Sequence, residues 1–432
     1  MTARLVAYEA FREILHYGGY SNLVLKKKLS GYGEADKSFV TALVYGTVEK
    51  LITLDYQIKP LLNINKTPQA IMDILRLGAY QLFYMNSVPD FAACSQMVEL
   101  AKSLGLNASL VNGVMRNLAR KGLNLPAGSD DIDALSVIYS IPVYLLEKWH
   151  NDYGGEVVKN LARFRHDNLT SIWPNPDKTD SKALSDELKR IGAHVLPGVL
   201  ENTLKVGFAA VARHDLYKSG YYSIQGEGAI IASIAAMPPE GGTVLDMCAA
   251  PGGKSVYIAK HNKECEITAW DLHPHRVELI NANIKRIGCD NITTEAQDAL
   301  VFRRDCVERF DSVLVDAPCS GLGTIWTKPE IRYRIKQQDI SELARTQERI
   351  LANAVRYVKK GGILVYSTCT LSADENERAV EKLLAQHPEF SLESIPGIPD
   401  DVKQAERGKM LTLFPYLFGT EGFFVARLRR CE

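Results

Sequence analysis

The stretch TVLDMCAAPGGKS, residues 243–255, decides the fold. Val244 and Leu245 form a short apolar run closed by Asp246, and Gly252 and Gly253 stand just before a helical pattern. A strand that turns through a glycine loop into a helix opens a βα unit. Four further apolar runs repeat the theme: EITAWD (266–271), NITTEAQD (291–298), FDSVLVD (310–316) and GILVYSTC (362–369), with helical stretches between most of them. This alternation predicts a parallel, doubly wound α/β sheet over residues 223–432.

Upstream the pattern changes twice. Residues 141–222 mix a helix-like stretch, IPVYLLEKWHNDYG, with the short candidate strands TSIWPN, AHVLPG and TLKVGF, which predicts a small α+β module. From residue 1 to about 122 apolar residues recur at helical spacing, as in Ile71, Ile74, Leu75 and Leu82, so residues 1–130 read as an all-α domain, with GLNLPAGSDD (122–131) as the linker. A chain of 432 residues exceeds what one core serves, and three domains suit that length.

Composition narrows the function classes. Lys and Arg number 51 and so do Asp and Glu, which excludes a polybasic nucleic-acid binder and confines any RNA contact to a regional patch. The eight cysteines follow neither a disulfide framework nor a zinc spacing, so no metal is expected. The N-terminal stretch mixes Arg4, Glu9, Arg12 and Glu13 with apolar residues, unlike a signal peptide, and no run is apolar enough to span a membrane; the expectation is a cytoplasmic protein without a lipid partner. The oligomeric state stays open, a monomer included.

In open α/β sheets ligands lie outside the carboxyl ends of the strands. The first strand here leads into Cys248, Ala249, Ala250, Pro251, Gly252, Gly253 and Lys254, a loop whose bare backbone N–H groups suit a phosphate or a carboxylate. Gly253-Lys254-Ser255 copies the end of a nucleotide P-loop, but Cys248 occupies the place of its first glycine. Asp271 ends the second strand about where an acidic group accepts from ribose hydroxyls, or else caps the helix after it. Asp298, after the third, suits a nucleoside base or a solvated turn. The fourth strand runs into Asp316-Ala317-Pro318-Cys319-Ser320-Gly321, and the fifth ends at Cys369, followed by the acidic Asp374, Glu375 and Glu377 that start a helix. Two thiols on neighbouring strand ends can face one site, and a thiolate adds to electron-poor ring carbons.

These strings together resemble the RNA m5C methyltransferase family: LDMCAAPGGKS, DAPCSGLGT, YSTCTLSADENE and GTEGFFVARL occur in its order. The resemblance implies a Rossmann-like domain using S-adenosyl-L-methionine, held by Cys248–Lys254, Asp271, Asp298 and Asp316. It implies that Cys369 is the nucleophile, that Cys319 supports release of the enzyme–product adduct, and that Asp316 lies near the methyl donor and the base. LRLGAYQLFYM, VPDFAACSQMVELAK and LVNGVMRNLARKG are similar to a NusB-type RNA-binding domain. That pairing implies the branch methylating cytosine 967 of 16S rRNA, on naked RNA or a partly assembled small subunit. Two departures stand out: Gln225-Gly226-Glu227 where the family has Gln-Asp, with Glu227 as the expected substitute, and Glu421 where it has Asp.

Cytosine C5 is too weak a nucleophile to take a methyl group unaided, and thiolate addition at C6 makes it an enamine carbon. The expectation is that Cys369 adds to C6 while Asp316, protonated or sharing a proton, hydrogen-bonds the N3/N4 edge. Lys328, Arg332, Arg334 and Lys336, with Trp326 and Tyr333, are expected to hold RNA, as are Lys26–Lys28, Arg116, Arg120 and Lys121. Two other classes remain: a non-catalytic ribosome-assembly or antitermination factor, disfavoured by the intact glycine loop, and a DNA cytosine methyltransferase, which expects one cysteine after a proline.

Overall fold

The computed structural model describes residues 2–128, 131–207 and 211–431, with only the backbone of Arg213. The last residue of TLKVGF, two residues of the 122–131 linker and both chain ends lie outside them. The chain divides into two compact units, one formed by Met1–Arg163 with Ile325–Arg334 and the other by Phe164–Thr324 with Ile335–Glu432.

The first unit is helical. Thr2, Asn107 and Asp131 cap its helices at Ala3–His16, Ala108–Lys121 and Ile132–Tyr139 by accepting from backbone N–H groups three residues on, donors that would otherwise be orphaned. Apolar residues at helical spacing, among them Phe11, Ile14, Leu43, Leu54, Leu75 and Met115, form one core. The unit extends to Arg163 rather than ending near residue 130. The Thr53 hydroxyl donates to the Val137 carbonyl (2.6 Å) and the Ile52 N–H to Ser140 Oγ (2.8 Å), which ties the helix Ile132–Tyr139 to the unit. The helices Val143–Tyr153 and Gly155–Arg163 follow it. The α+β reading of 141–222 therefore splits, its helical half going to the first unit.

The segment Ile325–Arg334 also belongs there, and it overturns part of the RNA-contact expectation. Arg332 is 2% exposed and donates to the carbonyls of Ile325, Tyr139 and Ser140. Glu330, 1% exposed, accepts from the N–H (3.0 Å) and hydroxyl (2.7 Å) of Ser21. Tyr333 bonds Ser140, Arg334 donates to the carbonyls of Ile14 and Gly19, and Trp326 stacks on Trp149 at 6.0 Å. Groups satisfied in this way are not available to phosphates. Lys328 and Lys336 remain exposed, as do Lys26, Lys27, Arg116, Arg120 and Lys121, while Lys28 pairs with Glu9 and Glu13.

The second unit holds two sheets. Strands β1 (Thr170–Pro174), β2 (His194–Pro197), β3 (Leu204–Gly207) and β4 (Tyr222–Ile224) form an antiparallel sheet in the order β2-β3-β1-β4. The larger sheet takes β5 (Thr243–Asp246), β6 (Glu266–Asp271), β7 (Ile292–Ala296), β8 (Phe310–Asp316), β9 (Val358–Thr368), β10 (Phe390–Glu393), β11 (Glu406–Arg407), β12 (Met410–Leu413) and β13 (Phe423–Arg430). Its order is β11-β12-β13-β9-β8-β5-β6-β7, with β10 against β13. β5 to β9 pair in parallel, as the βα alternation requires, and the reversed β13 adds an antiparallel flank. Val244, Leu314, Val365 and Val425 are buried on one face, and Leu245, Val313, Val315 and Leu364 on the other, so both faces are covered.

Candidate active site

Parallel pairing brings the carboxyl ends of β5 to β9 to one edge, and register decides which side chains meet there. Asp246 aligns with Ala269 of β6 and Leu314 of β8, Asp271 with Ala296, and Asp316 with Ser367. Cys319 lies three residues past the end of β8 and Cys369 one past β9, and their sulfurs stand 3.4 Å apart. The site thus joins all three residues expected to act on the base.

The loop after β5 is shaped to leave backbone facing the edge. Gly252 has φ +96°, and a Cβ there would sit 3.0 to 3.2 Å from Ile280 on the neighbouring helix Pro274–Ile287, so only glycine fits without displacement. The helix Gly253–His261 begins immediately, offering the free N–H groups of its first turn. Asp271 Oδ2 accepts from the Ala250 N–H at 3.1 Å, while Oδ1 lies 3.4 Å from Arg276. The following helix has His273, not Asp271, at its N-cap position, so the capping alternative falls. Asp298 Oδ1 accepts from the Leu300 N–H at 2.8 Å, a turn role. At 2% exposed, Asp271 is built into the loop, and its carboxylate beside bare backbone suits a ribose. The donor set of loop N–H groups, helix start and strand-end carboxylates fits S-adenosyl-L-methionine, with its carboxylate, ribose and adenine.

Charge is distributed unevenly. Lys254 donates to Asp316 Oδ2 at 2.5 Å and Ser367 donates to Oδ1 at 2.8 Å. Both carboxyl oxygens of Asp316 are therefore engaged, one by Lys254 and one by Ser367. Burial works against the Lys254 charge, but Asp316, then Asp246 and Cys369, outweigh it and hold its pKa above the ordinary value. Asp246 is fully buried, which pushes its pKa up to about 6; Ser255 donates to Oδ2, while Oδ1 has no hydrogen-bond partner among the described residues.

The cysteines differ in the same field. The Cys319 thiol is held well above its usual pKa, first by its hydrogen bond to Cys369, then by burial, then by the charges of Cys369, Glu375 and Asp316. The two sulfurs share one contact of 3.4 Å, in which either thiol can donate. Burial, then the charges of Asp246, Asp316 and Asp271, raises the Cys248 thiol far above its usual value as well, which keeps it from acting as a thiolate.

The structure also relocates Glu227. It is 1% exposed, and its Oε1 accepts from the N–H groups of Val199 and Leu200 and from the Thr203 hydroxyl, pinning the β2–β3 connection instead of serving the site. Gln225 Oε1 accepts from Trp173 Nε1 at 2.9 Å beside Gly253. Glu421, the other departure from the family pattern, lies beside Gly226. Sequence reasoning missed the Lys254–Asp316 pair and the buried Glu375. The first was visible as two motif residues with opposite charge, whereas the second was hidden in an acidic run.

Comparison with known proteins assigns the two ends of the chain to different families. Residues 233–429 match the family described as 16S rRNA methyltransferase RsmB/F, and residues 1–120 match the NusB family. The chain is 37% identical over 446 residues to a probable ribosomal RNA small subunit methyltransferase B of Bacillus subtilis, covering 99% of each chain. It is 32% identical to the ribosomal RNA small subunit methyltransferase B of Thermus thermophilus, covering 99% of this chain and 98% of that one. Among solved structures, that of PH0851 superposes with a TM-score of 0.80 at 24% identity, covering 100% of this chain and 99% of the other. NSun6 from Pyrococcus horikoshii with SFG gives 0.58 at 23%, covering 67% and 98%. The chain therefore belongs to the RsmB/F family of ribosomal RNA methyltransferases, S-adenosyl-L-methionine-dependent RNA (cytosine-C5)-methyltransferases, in the branch that carries a NusB domain.

Proposed function

We propose that this enzyme methylates C5 of cytosine 967 in 16S rRNA, in the cytoplasm, through a covalent bond between Cys369 and C6 of the base. The observation that carries the covalent reading is the contact of the two sulfurs, 3.4 Å apart, beside the Lys254–Asp316 pair. The raised pKa of Cys319, 3.4 Å from Cys369, and the nearby Lys254 charge favour the thiolate at Cys369. Its addition at C6 forms the C–S bond and moves the ring's electron pair toward C5 and N3. Lys254 is placed where that charge develops and its positive charge offsets it, while Asp316, itself held by Ser367, positions the ammonium group. S-adenosyl-L-methionine, held by Cys248–Lys254, Asp271 and Asp298, supplies the electrophilic methyl group. A base then takes the C5 proton, the C5–H electron pair re-forms the C5=C6 double bond, the C6–S bond breaks with its electron pair returning to sulfur, and Cys319 acts in this release.

The base has to leave its stack to reach a strand-end pocket, so the substrate is an accessible single-stranded or loop nucleotide. The 170–224 module and the helical unit are assigned to RNA, on 16S rRNA or a partly assembled small subunit, because the relatives named above are small-subunit enzymes. Bisulfite sequencing of ribosomal RNA from a strain lacking this chain tests the target: one unprotected cytosine at 967 is expected, and an unchanged pattern defeats it. Cys319→Ala is expected to accumulate an RNA adduct that survives denaturing electrophoresis.

A further inference from the structure

Behind the two sulfurs lies a carboxylate that the reaction does not touch. Glu375 is 0% exposed. Its Oε1 accepts from the Ser320 N–H at 2.8 Å and from Gln347 Nε2 at 3.1 Å, and Gln347 also donates to the Pro318 carbonyl at 2.9 Å. Its Oε2 accepts from the Ser320 hydroxyl at 2.5 Å. The Thr370 hydroxyl lies 2.6 Å from Ser320 Oγ and 3.5 Å from Glu375 Oε2. One carboxylate therefore binds both neighbours of Cys319, Pro318 through Gln347 and Ser320 directly, and reaches the neighbour of Cys369 through one hydroxyl. Gly323 N–H to the Cys369 carbonyl, at 3.0 Å, closes the far side.

We propose that Glu375 is the positioning residue of the cysteine pair: it clamps the Cys319 turn to the Cys369 turn and, by its charge, keeps the proton on Cys319. The inference rests on the covalent reading above. A buried carboxylate is costly to hold unless its partners are donors, and here those partners are the residues flanking Cys319 and Cys369. The groups facing Cys319 are Cys369, Glu375 and Asp316, with Lys254 paired to Asp316 and Tyr366 donating to the Glu375 carbonyl. Of these, Glu375 is the one that contacts neither base nor cofactor in the proposed reaction. Its charge raises the cost of a Cys319 thiolate, so proton placement follows from the same bond set that fixes geometry.

The test compares Glu375→Gln, which keeps an acceptor oxygen and loses the charge, with Glu375→Ala, which loses both. Two readings are taken on folded protein: kcat with saturating RNA, and the pH at which iodoacetamide begins to alkylate Cys319, followed by peptide mass in a Cys369→Ser background. E375Q is expected to lower kcat about 10-fold and to move the alkylation inflection down by about one pH unit, and E375A to lower kcat at least about 100-fold, with KM for the methyl donor within about 3-fold. Loss of activity with an unmoved inflection overturns the proposal and leaves Glu375 a packing residue. A moved inflection with unchanged kcat overturns it too, as does E375A with near-normal turnover. Because alkylation is read without methyl transfer, failure here is separable from failure of the covalent reading, which full turnover by Cys369→Ala would show.

Discussion

Glu330 and Arg332 in the helical unit are 1% and 2% exposed, and the carboxylate and guanidinium are occupied by Ser21 and by a set of backbone carbonyls. Asp246 in the sheet unit is as deeply buried, yet its Oδ1 has no hydrogen-bond partner among the described residues, and the Lys254–Asp316 pair beside it keeps partial exposure. Burial and charge alone do not separate architecture from chemistry. Glu330 and Arg332 are buried with their polar groups taken up by the fold, which marks them as spent on folding, while Lys328 and Lys336 of the same stretch stay exposed. At the strand ends, Asp246 keeps one oxygen without a partner among the described residues and Lys254 and Asp316 keep partial exposure.

The comparison breaks most visibly if the sheet-unit cysteines prove dispensable. Cys369→Ala is expected to lower methyl transfer by at least about 10⁴-fold, measured with labelled methyl donor, while the thermal midpoint stays within a degree or two. A partly exposed thiol contributes little packing, so catalysis and stability separate here. Arg332→Met inverts the pattern. Removing one charge from a closed, buried set costs about 3–5 kcal/mol of stability in denaturant unfolding, while kcat per folded molecule stays unchanged. Altered RNA affinity with intact stability would return Arg332 to the RNA-contact class.

Asp246 sharpens the comparison through pH. Its pKa is about 6 in the folded chain against about 3.9 when unfolded, so between those values the folded state binds the extra proton. Stability from this group is present below about pH 4 and is lost as pH rises through 6, by about 3 kcal/mol in all. Asp246→Asn, whose amide oxygen still accepts from Ser255, is expected to flatten that slope in urea unfolding at pH 4.5 and 7. Lys254→Met tests the open pair on the kinetic side: a fall of about 100-fold in kcat/KM, or about 2.7 kcal/mol, is expected, from a lost charge beside Cys369 and Asp316.

How much of this was legible follows from the same distinction. The strands β5, β6, β8 and β9 were readable because apolar runs alternate with helices, and the glycine loop because backbone approach demands residues without side chains. Local pattern also placed Cys319 and Cys369 at neighbouring strand ends. The family resemblance assigned their unequal roles, and the 3.4 Å contact of their sulfurs puts the two thiols in one site. β4 was missed because three residues, Tyr222–Ile224, carry no period of their own and are defined by pairing with β1. The fate of Arg332 and Arg334 was illegible because their partners are carbonyls up to 320 positions away in sequence, and carbonyls are the one acceptor that composition cannot reveal. Glu375 was read as part of a helix start because its partners, Ser320 and Gln347, lie on other elements.

The smallest effect probes what is left of the basic stretch. Lys328 and Lys336 are exposed, whereas Arg332 and Arg334 between them are engaged with carbonyls. A lysine that contacts a phosphate contributes by releasing counterions, so its removal weakens binding alike for every sequence and reduces the salt slope of log affinity by about 0.7 to 0.9. The double variant Lys328→Ala/Lys336→Ala is therefore expected to bind a small-subunit RNA fragment a few-fold more weakly at 0.1 M salt, with a slope shallower by up to about 1.8. Equal slopes for variant and parent would show that neither lysine meets phosphate. The RNA contacts of the helical unit would then rest on Lys26, Lys27, Arg116, Arg120 and Lys121, whose side chains are all exposed.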